Sequence, residues 1–510
     1  MSRGNDAELL LRLAEDVKLF RTEWKEPYAD IDVDGHRETW PLASEDFRDR
    51  LVERFLRSEG QPIQKTAVGD VLATLRAKAF IGGETKPVFM RVADFEGKRY
   101  LDLANDKWEA VEISATGWKI VANPPVRFCR APGMLPLPKP ARGGKIEEFR
   151  PFQGNISDDG FVLVIGWLLT VLNGRPPYPV LSFSGLQGSA KSSASRFTRN
   201  IIDPALTPLG TLPSTQAEYS RAVGQNWILA WDNVSHINDK TSDALCRLST
   251  GGYDPHYRPG CRPCASHIRP IILNSIVNCV VRPDLADRAL FVTLDPIKDK
   301  ARKNEYELQA KFEKAWPRIL GALLDGVAAG LANSGCNHVE NIGRMVDMHQ
   351  FASCCEKTYW TEGTFGAAYR ASRKRAAIVL SEVNPVATGV IRLVDEQGSF
   401  NGTATELLSR LNAMGKDIRT GVKLPGGPGA LSGELTRVEP LLESQGIVID
   451  RDRTGQQGAR QIFIKRLEPP NAKSRSSKPR QAKPKPAAAN LQGLLPLGLP
   501  DDTDDELEPA

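Results

Sequence analysis

The sequence predicts an α/β protein built around a phosphate-binding loop, with a mixed α/β segment before it and helical segments after it. Three observations carry this reading. An apolar strand, Val180 to Ser184, runs into a loop that ends in Lys191-Ser192. A second strand, Trp227 to Ala230 and on to Asp232, ends in a carboxylate, and a third, Pro270 to Asn274, ends in an amide. Beyond residue 300, Leu308, Phe312, Trp316, Ile319 and Leu323 recur at three- and four-residue steps, the spacing of one buried helix face.

The loop follows the pattern G-x-x-x-x-G-K-[ST], with Gly185 in the first slot and Ala190 in place of the second glycine. Backbone N–H groups of such a turn wrap phosphates, the lysine reaches the outer ones and the hydroxyl ligates Mg²⁺. Gly185, Gly188, Ser189, Ala190, Lys191, Ser192 and Ser193 are therefore the expected cradle for ATP and Mg²⁺. Ser193 to Asn200 can form a helix whose N-terminus faces the anion. The methyl group of Ala190 is tolerated if that position does not need a positive φ.

The downstream strands supply partners. Asp232 is where a nucleoside triphosphatase holds the acid that orients Mg²⁺, and Asn274 suits contact with the γ-phosphate or the attacking water. Arg282 and Arg288, in Arg-Pro-Asp-Leu-Ala-Asp-Arg, are candidates for an arginine acting on a neighbour's nucleotide. Phosphate loop, acid-ending strand, hairpin, amide-ending strand and arginine, in that order, resemble the AAA+ ATPases of the superfamily 3 helicase kind. The likeness is to the helicase part of primase-helicases of phages and mobile elements, and it is strongest over residues 150–300.

That resemblance implies a homo-oligomeric ring, usually a hexamer, with ATP at subunit boundaries and DNA through the centre. On this chain it assigns Lys191 to the β/γ-phosphates, Ser192 and Asp232 to Mg²⁺, Asn274 to sensing, and Arg288 or Arg282 to a trans role. One position departs from the pattern. Many relatives carry a second acid where this sequence has Asn233, and an amide cannot act as a general base. Glu218, Asp239 and Asp243 are the alternative carboxylates; without one, hydrolysis is slow.

In the helicases it resembles, a hairpin ahead of the sensor strand grips DNA. Here Arg258 and Arg262 flank a Pro-Gly turn beside Tyr257, a set suited to phosphate contact and base stacking. The same stretch holds His256, Cys261, Cys264 and His267, which could close a tetrahedral zinc site. Their spacing is tighter than the common finger spacing, which favours reduced structural cysteines.

The chain of 510 residues is long enough for several domains, expected at 1–150, 151–300, 301–383, 384–467 and 468–510. Eight irregularly spaced cysteines and no signal peptide argue for a reducing cytoplasm and against a disulfide framework. The apolar run Phe161 to Leu172 is too short to span a bilayer, so it reads as a buried helix with no membrane partner. Within residues 1–150, Lys86 to Ala93 and Arg99 to Ala104 read as a hairpin across Glu96-Gly97, followed by strands at Trp108 to Ile113 and Gly117 to Val121. Asp30, Asp32 and Asp34 could be paired acids of a primase site or, more simply, a turn before Gly35. Pro132 to Gly144 reads as a linker.

Helices at 308–324 would form a lid over the nucleotide. Near Pro385 a separate module begins. A helix at Val386 to Glu396, a capping box Thr403-Ala-Thr-Glu406 opening a second helix, and a third at Leu431 to Ser444 precede two strands joined by an arm bearing Arg451, Arg453 and Arg460. Three helices and a basic hairpin look like a winged helix, with those arginines on DNA. The tail has a basic linker and then Gln492, Leu494, Leu495 and Leu497, which resemble a bacterial sliding-clamp-binding motif, before an acidic end. Two functions follow: an ATP-driven DNA helicase or translocase for replication of a phage or mobile element, or a nucleotide-gated DNA-binding scaffold such as an initiator, loader or defence component.

Overall fold

Alternating polar and apolar residues shape the first 121 residues into helices and two small sheets. The computed structural model describes residues 3–252, 268–298, 303–334, 344–414, 424–443, 445–453 and 460–467. α1 (Arg3–Leu13) precedes β1 (Lys18–Arg21), β2 (Pro27–Val33) and β3 (His36–Pro41). α2 (Glu45–Glu59), α3 (Lys65–Gly82) and β4 (Glu84–Thr85) complete a sheet of order β3-β2-β1-β4. Asp34 and Gly35 turn β2 into β3 with φ of +50° and +81°, a two-residue hairpin. The three acids are spent on that architecture. Asp30 is buried and accepts from Arg127 Nε at 2.7 Å and Thr39 Oγ1 at 2.7 Å, and Asp32 accepts from the Gly35 amide at 3.2 Å. The turn, not the paired-acid site, is what forms.

β5 (Val92–Phe95), β6 (Lys98–Asp102), β7 (Ala110–Ser114) and β8 (Gly117–Val121) form an antiparallel meander, with Glu96-Gly97 as the first turn. The expected linker is pinned along its length. Leu137 N donates to Leu103 O at 2.8 Å, Leu135 N to Pro204 O at 3.0 Å, and Ala141 N to Pro317 O at 2.8 Å. Prolines deny this strap a strand ladder, yet its remaining amides still find partners. Where it crosses the following helical layer the backbones nearly touch: a Cβ on Gly321 would lie 1.9 Å from Ala141 O.

The central sheet follows: β9 (Asn155–Ile156), α4 (Asp158–Asn173), β10 (Val180–Ser184), α5 (Lys191–Asn200), α6 (Gln216–Gln225) and β11 (Leu229–Trp231). It continues through α7 (Asp239–Thr250), β12 (Ile271–Ser275), α8 (Pro283–Ala286) and β13 (Ala289–Asp295). The order is β11-β12-β10-β13-β9; β11, β12, β10 and β13 run parallel, and β9 is antiparallel to β13. Parallel strands are covered on both faces, which is why they read as continuous apolar runs. α4 is the apolar run of residues 161–172. It is capped by Ser157 and ended by Gly174, and its interior residues are buried.

α9 (Glu305–Ala332), α10 (Val346–Glu356) and α11 (Thr364–Val383) pack on α4. The helices expected as a lid thus form a layer on the core, and α9 touches α5 where the Phe312 and Phe197 ring centroids lie 4.8 Å apart. The last part comprises α12 (Pro385–Gln397), β14 (Ser399–Thr403), α13 (Ala404–Met414), α14 (Pro428–Glu443), β15 (Ile447–Arg453) and β16 (Arg460–Arg466). β14, which the sequence reading passes over, makes a three-stranded sheet of order β14-β16-β15. The capping box forms: Glu406 accepts from Thr403 N at 2.7 Å and donates its own amide to Thr403 Oγ1 at 3.3 Å.

The described residues up to Arg466 form one compact unit. Among the described residues no helix is long and apolar enough to cross a membrane, and Cys129, Cys246, Cys279, Cys354 and Cys355 are free thiols. Tyr257, Arg258, Arg262, the His256–His267 set and Gln492, Leu494, Leu495 and Leu497 lie outside the described residues.

Candidate nucleotide site

Chain direction and strand order create a crevice. After β10 the chain passes to β11, two places away, and returns to fill the gap with β12, while β13 lies on the other side of β10. Ligands of open parallel sheets bind at such a switch, beyond the carboxyl ends of the strands. The register puts Phe183 level with Asn274 and Trp231 level with Leu273, so Ser184, Asp232 and Asn274 end their strands side by side.

The residues expected to share a metal ion meet there. Ser192, at the start of α5, donates from Oγ to Asp232 Oδ1 at 3.0 Å. Lys191 Nζ donates to the Leu186 carbonyl at 3.0 Å and lies 3.5 Å from Ser189 Oγ, so the ammonium hangs over its own loop. Burial lowers its pKa from the ordinary lysine value, and the Asp232 charge opposes that shift.

The loop backbone is strained in one place. Gly185 has φ +154° and Gly188 +83°, and a Cβ on Gly185 would lie 2.4 Å from Leu294 O. Ala190 has φ +61° and ψ +28°. The condition on which its methyl group was to be tolerated therefore fails: the position is left-handed, and alanine there costs about 1–2 kcal/mol relative to glycine. Ser193 follows in the first turn of α5, half-buried, with no side-chain bond among the described residues.

Asn274 braces the neighbouring turn. It is buried, its Oδ1 accepts from Asn233 N at 2.9 Å, and its Nδ2 lies 3.4 Å from Ser195 Oγ. Its carbonyl accepts from Val234 N at 2.8 Å, and the Asp232 amide donates to Gly210 O at 2.9 Å. Asn233 sits between them with φ +55°. Asn274 thereby locks the turn that aims Asp232 and ties it to α5. Ser195, invisible as a site residue in the sequence, is the helix end of this brace; its spacing of three from Ser192 was the available signal.

The three substitute carboxylates are all engaged elsewhere. Glu218 closes a capping box on α6, accepting from Ser214 N at 2.7 Å and Thr215 N at 3.1 Å, and those backbone bonds hold its carboxyl below the usual range. Asp243 Oδ1 and the Asp239 carbonyl each accept from Arg282 Nη1 at 3.0 Å. Glu218 serves as a cap acid, Asp243 shares Arg282, and the exposed Asp239 carboxylate lies 3.6 Å from the same guanidinium; among the described residues none is hydrogen-bonded to Asp232 or Ser192.

Both arginines have intramolecular partners. Arg282 is about one-third exposed, and its acid partners lie on the surface. Arg288 is more buried, with Nη1 2.6 Å from both Asp284 O and Asp284 Oδ1, and its carbonyl accepts from Val180 N at 2.9 Å. That contact fixes Arg288 at the amino end of β10, roughly 15 Å from the loop along the strand. In the last sheet, Arg451 pairs with Glu439 at 2.7 Å, and Arg453 faces Arg460 across the ladder.

Residues 154–376 match the model of the actinomycete integrative conjugative element replication protein, and residues 386–481 match that family's C-terminal domain. This is the sequence of a mobile-element replication protein. The first match contains the loop, Asp232, Asn274 and both arginines; the second contains α12 to β16. The family belongs to integrative conjugative elements, a narrower source than phage or mobile element at large, and it does not single out superfamily 3. No curated protein matches the sequence. Among solved structures, the SCCmec type IV active helicase Cch aligns with TM-score 0.49 and 10% identity over 88% of this chain and 92% of its own. The apo C-terminal region of NrS-1 aligns with TM-score 0.39 and 12% identity over 91% and 98%. The functional reading of this replication protein rests on its site and its family, not on these likenesses.

Proposed function

We propose that this chain is an ATP- and Mg²⁺-dependent DNA helicase or translocase serving replication of an integrative conjugative element. The observation that carries this is the Ser192–Asp232 bond at the N-terminus of α5, beside Lys191. A hydroxyl and a carboxylate converging there would supply two of the six ligands of a Mg²⁺ ion, and the helix N-terminus and ammonium the charge for phosphates. In this reading residues 151–300 are a P-loop core of the AAA+ kind. Residues 1–150 form its N-terminal domain, 301–383 its helical cover and 384–467 a winged helix that places Arg451, Arg453 and Arg460 on DNA. Subunits close into a ring, and Arg282 reaches the neighbour's nucleotide once it leaves Asp239 and Asp243. Arg288, paired and at the far end of the sheet, suits the trans role less well.

A specific observation favours a second reading. Asn233 stands beside Asp232 where an acid would be needed, Glu218 is held in a helix cap, and Asp243 and Asp239 lie against Arg282. The ATP site would then gate assembly on DNA as in an initiator or loader, without unwinding. Strand displacement on a forked duplex, measured beside ATP hydrolysis, separates the two. DNA-stimulated hydrolysis with unwinding supports the motor. Nucleotide-dependent DNA binding without unwinding supports the gated scaffold.

A further inference from the structure

Away from the loop, a cavity of about 560 Å³ opens between α8, β13, α11 and α14. Its apolar lining includes the buried Leu380 and Leu441 and the half-buried Phe291. Its rim carries five cations, Arg282, Arg344, Arg373, Lys374 and Arg437, against two carboxylates, Asp284 and Asp287.

Most of these cations are paired, Arg282 with Asp243 at 3.0 Å, and the excess of positive charge rests on Lys374 and on the weakly held Arg437. Asp287 holds Arg373 at 2.8 Å, and Asp284 holds Arg344 at 3.0 Å while also accepting from Arg288. Lys374 is exposed and has no ion-pair partner among the described residues. Arg437 is exposed and pairs with Glu434, which sits three residues before it on the same helix. Such a surface pair is worth little, so Arg437 is free to turn to a ligand.

An apolar lining beneath a cationic rim suits a flat ring carrying phosphate. The ring removes apolar surface from water and the phosphate meets donors concentrated by the concavity. The volume falls within the roughly 300–1,000 Å³ of small-ligand pockets. We propose that this cavity binds a nucleoside phosphate, free or as one residue of single-stranded DNA, separately from the nucleotide in the loop.

The test uses the full-length chain carrying Lys191→Ala, which disables the loop site. ADP and a five-residue thymidine oligonucleotide are titrated into it, with and without Lys374→Glu and Arg437→Glu together. The paired charge reversal is expected to weaken at least one ligand by tenfold or more. Loss of ADP assigns a free nucleotide, and loss of the oligonucleotide assigns DNA. Lys374→Arg with Arg437→Lys should keep binding, and melting should show both pairs folded. Charge reversal that moves neither affinity by more than twofold overturns the cavity site. The loop reading fails on a different result: ADP binding in an otherwise native chain that Lys191→Ala leaves unchanged.

Discussion

The hydroxyl of Ser192 donates to the carboxylate of Asp232 across 3.0 Å, joining two residues 40 positions apart at the mouth of the central sheet. Ser192 is exposed and Asp232 half-buried. In the proposed reading a shared Mg²⁺ accounts for their convergence, and the brace through Asn274, Asn233 and Ser195 holds the turn beside it.

Asn233 offers a gain-of-function test. Its left-handed backbone suits Asn and Asp alike, so Asn233→Asp should fold normally. If hydrolysis is slow for want of a general base, this variant should raise kcat for ATP by about tenfold or more, with little change in KM. Steady-state hydrolysis checks it. An unchanged kcat would mean that water activation is not the limiting step.

Ala190→Gly restores the glycine of the loop pattern and relieves a left-handed alanine. The variant should be stabler by about 1 kcal/mol, against the usual destabilising sense of alanine-to-glycine changes. Ala190→Val should be destabilised instead, because a β-branched residue resists this conformation more. Denaturant midpoints of the three proteins give the order.

The two arginines separate by stability. Arg288→Ala leaves Asp284 with a weakened set of partners in a half-buried place, and should cost about 1–3 kcal/mol of folding stability. Arg282→Ala removes a surface pair and should cost less than about 1 kcal/mol, while abolishing most hydrolysis and keeping nucleotide binding. Mixing Arg282→Ala with Lys191→Ala subunits should restore part of the activity. Melting curves with mixed-subunit hydrolysis test both halves, and full activity of Arg282→Ala alone would deny it the trans role.

Much of this architecture is legible in residue types because local rules agree with the fold. The buried parallel strands are unbroken apolar runs, Asp34-Gly35 and Glu96-Gly97 are turn dipeptides, and Thr403 with Glu406 announces a helix start. The loop and the ends of the parallel strands are readable because a phosphate-binding loop pattern restricts residue types at set spacings. What escapes is set by tertiary contact. Gly402 in β14 hides a strand, and the proline-rich strap at 132–144 looks like a linker until its amides find Leu103, Pro204 and Pro317. The commitment of Glu218 and Asp243 to a cap and an ion pair likewise depends on neighbours that a motif does not name.

His349 gives a pH test. It lies buried between the Phe365 and Tyr369 rings, with neither ring nitrogen hydrogen-bonded. Burial, with help from the Arg370 charge, pushes its pKa down to about 4. The unfolded chain binds this proton near pH 6.5 and the folded one does not, so stability from this group is full above pH 6.5 and lost as pH falls toward 4. The loss should reach about 3 kcal/mol. His349→Leu should flatten that part of the pH–stability curve, measured by denaturant unfolding from pH 7 to pH 4.

The central claim is that Lys191, Ser192 and Asp232 form a working Mg²⁺-nucleotide site. The most direct measurement is ATP binding and hydrolysis, with Mg²⁺ and single-stranded DNA present, by the native chain and by Lys191→Ala. The account predicts Mg²⁺-dependent turnover in the native chain and a loss of about 100-fold or more in the variant, with the melting temperature unchanged. ATP affinity and turnover in Lys191→Ala equal to those of the native chain would contradict it.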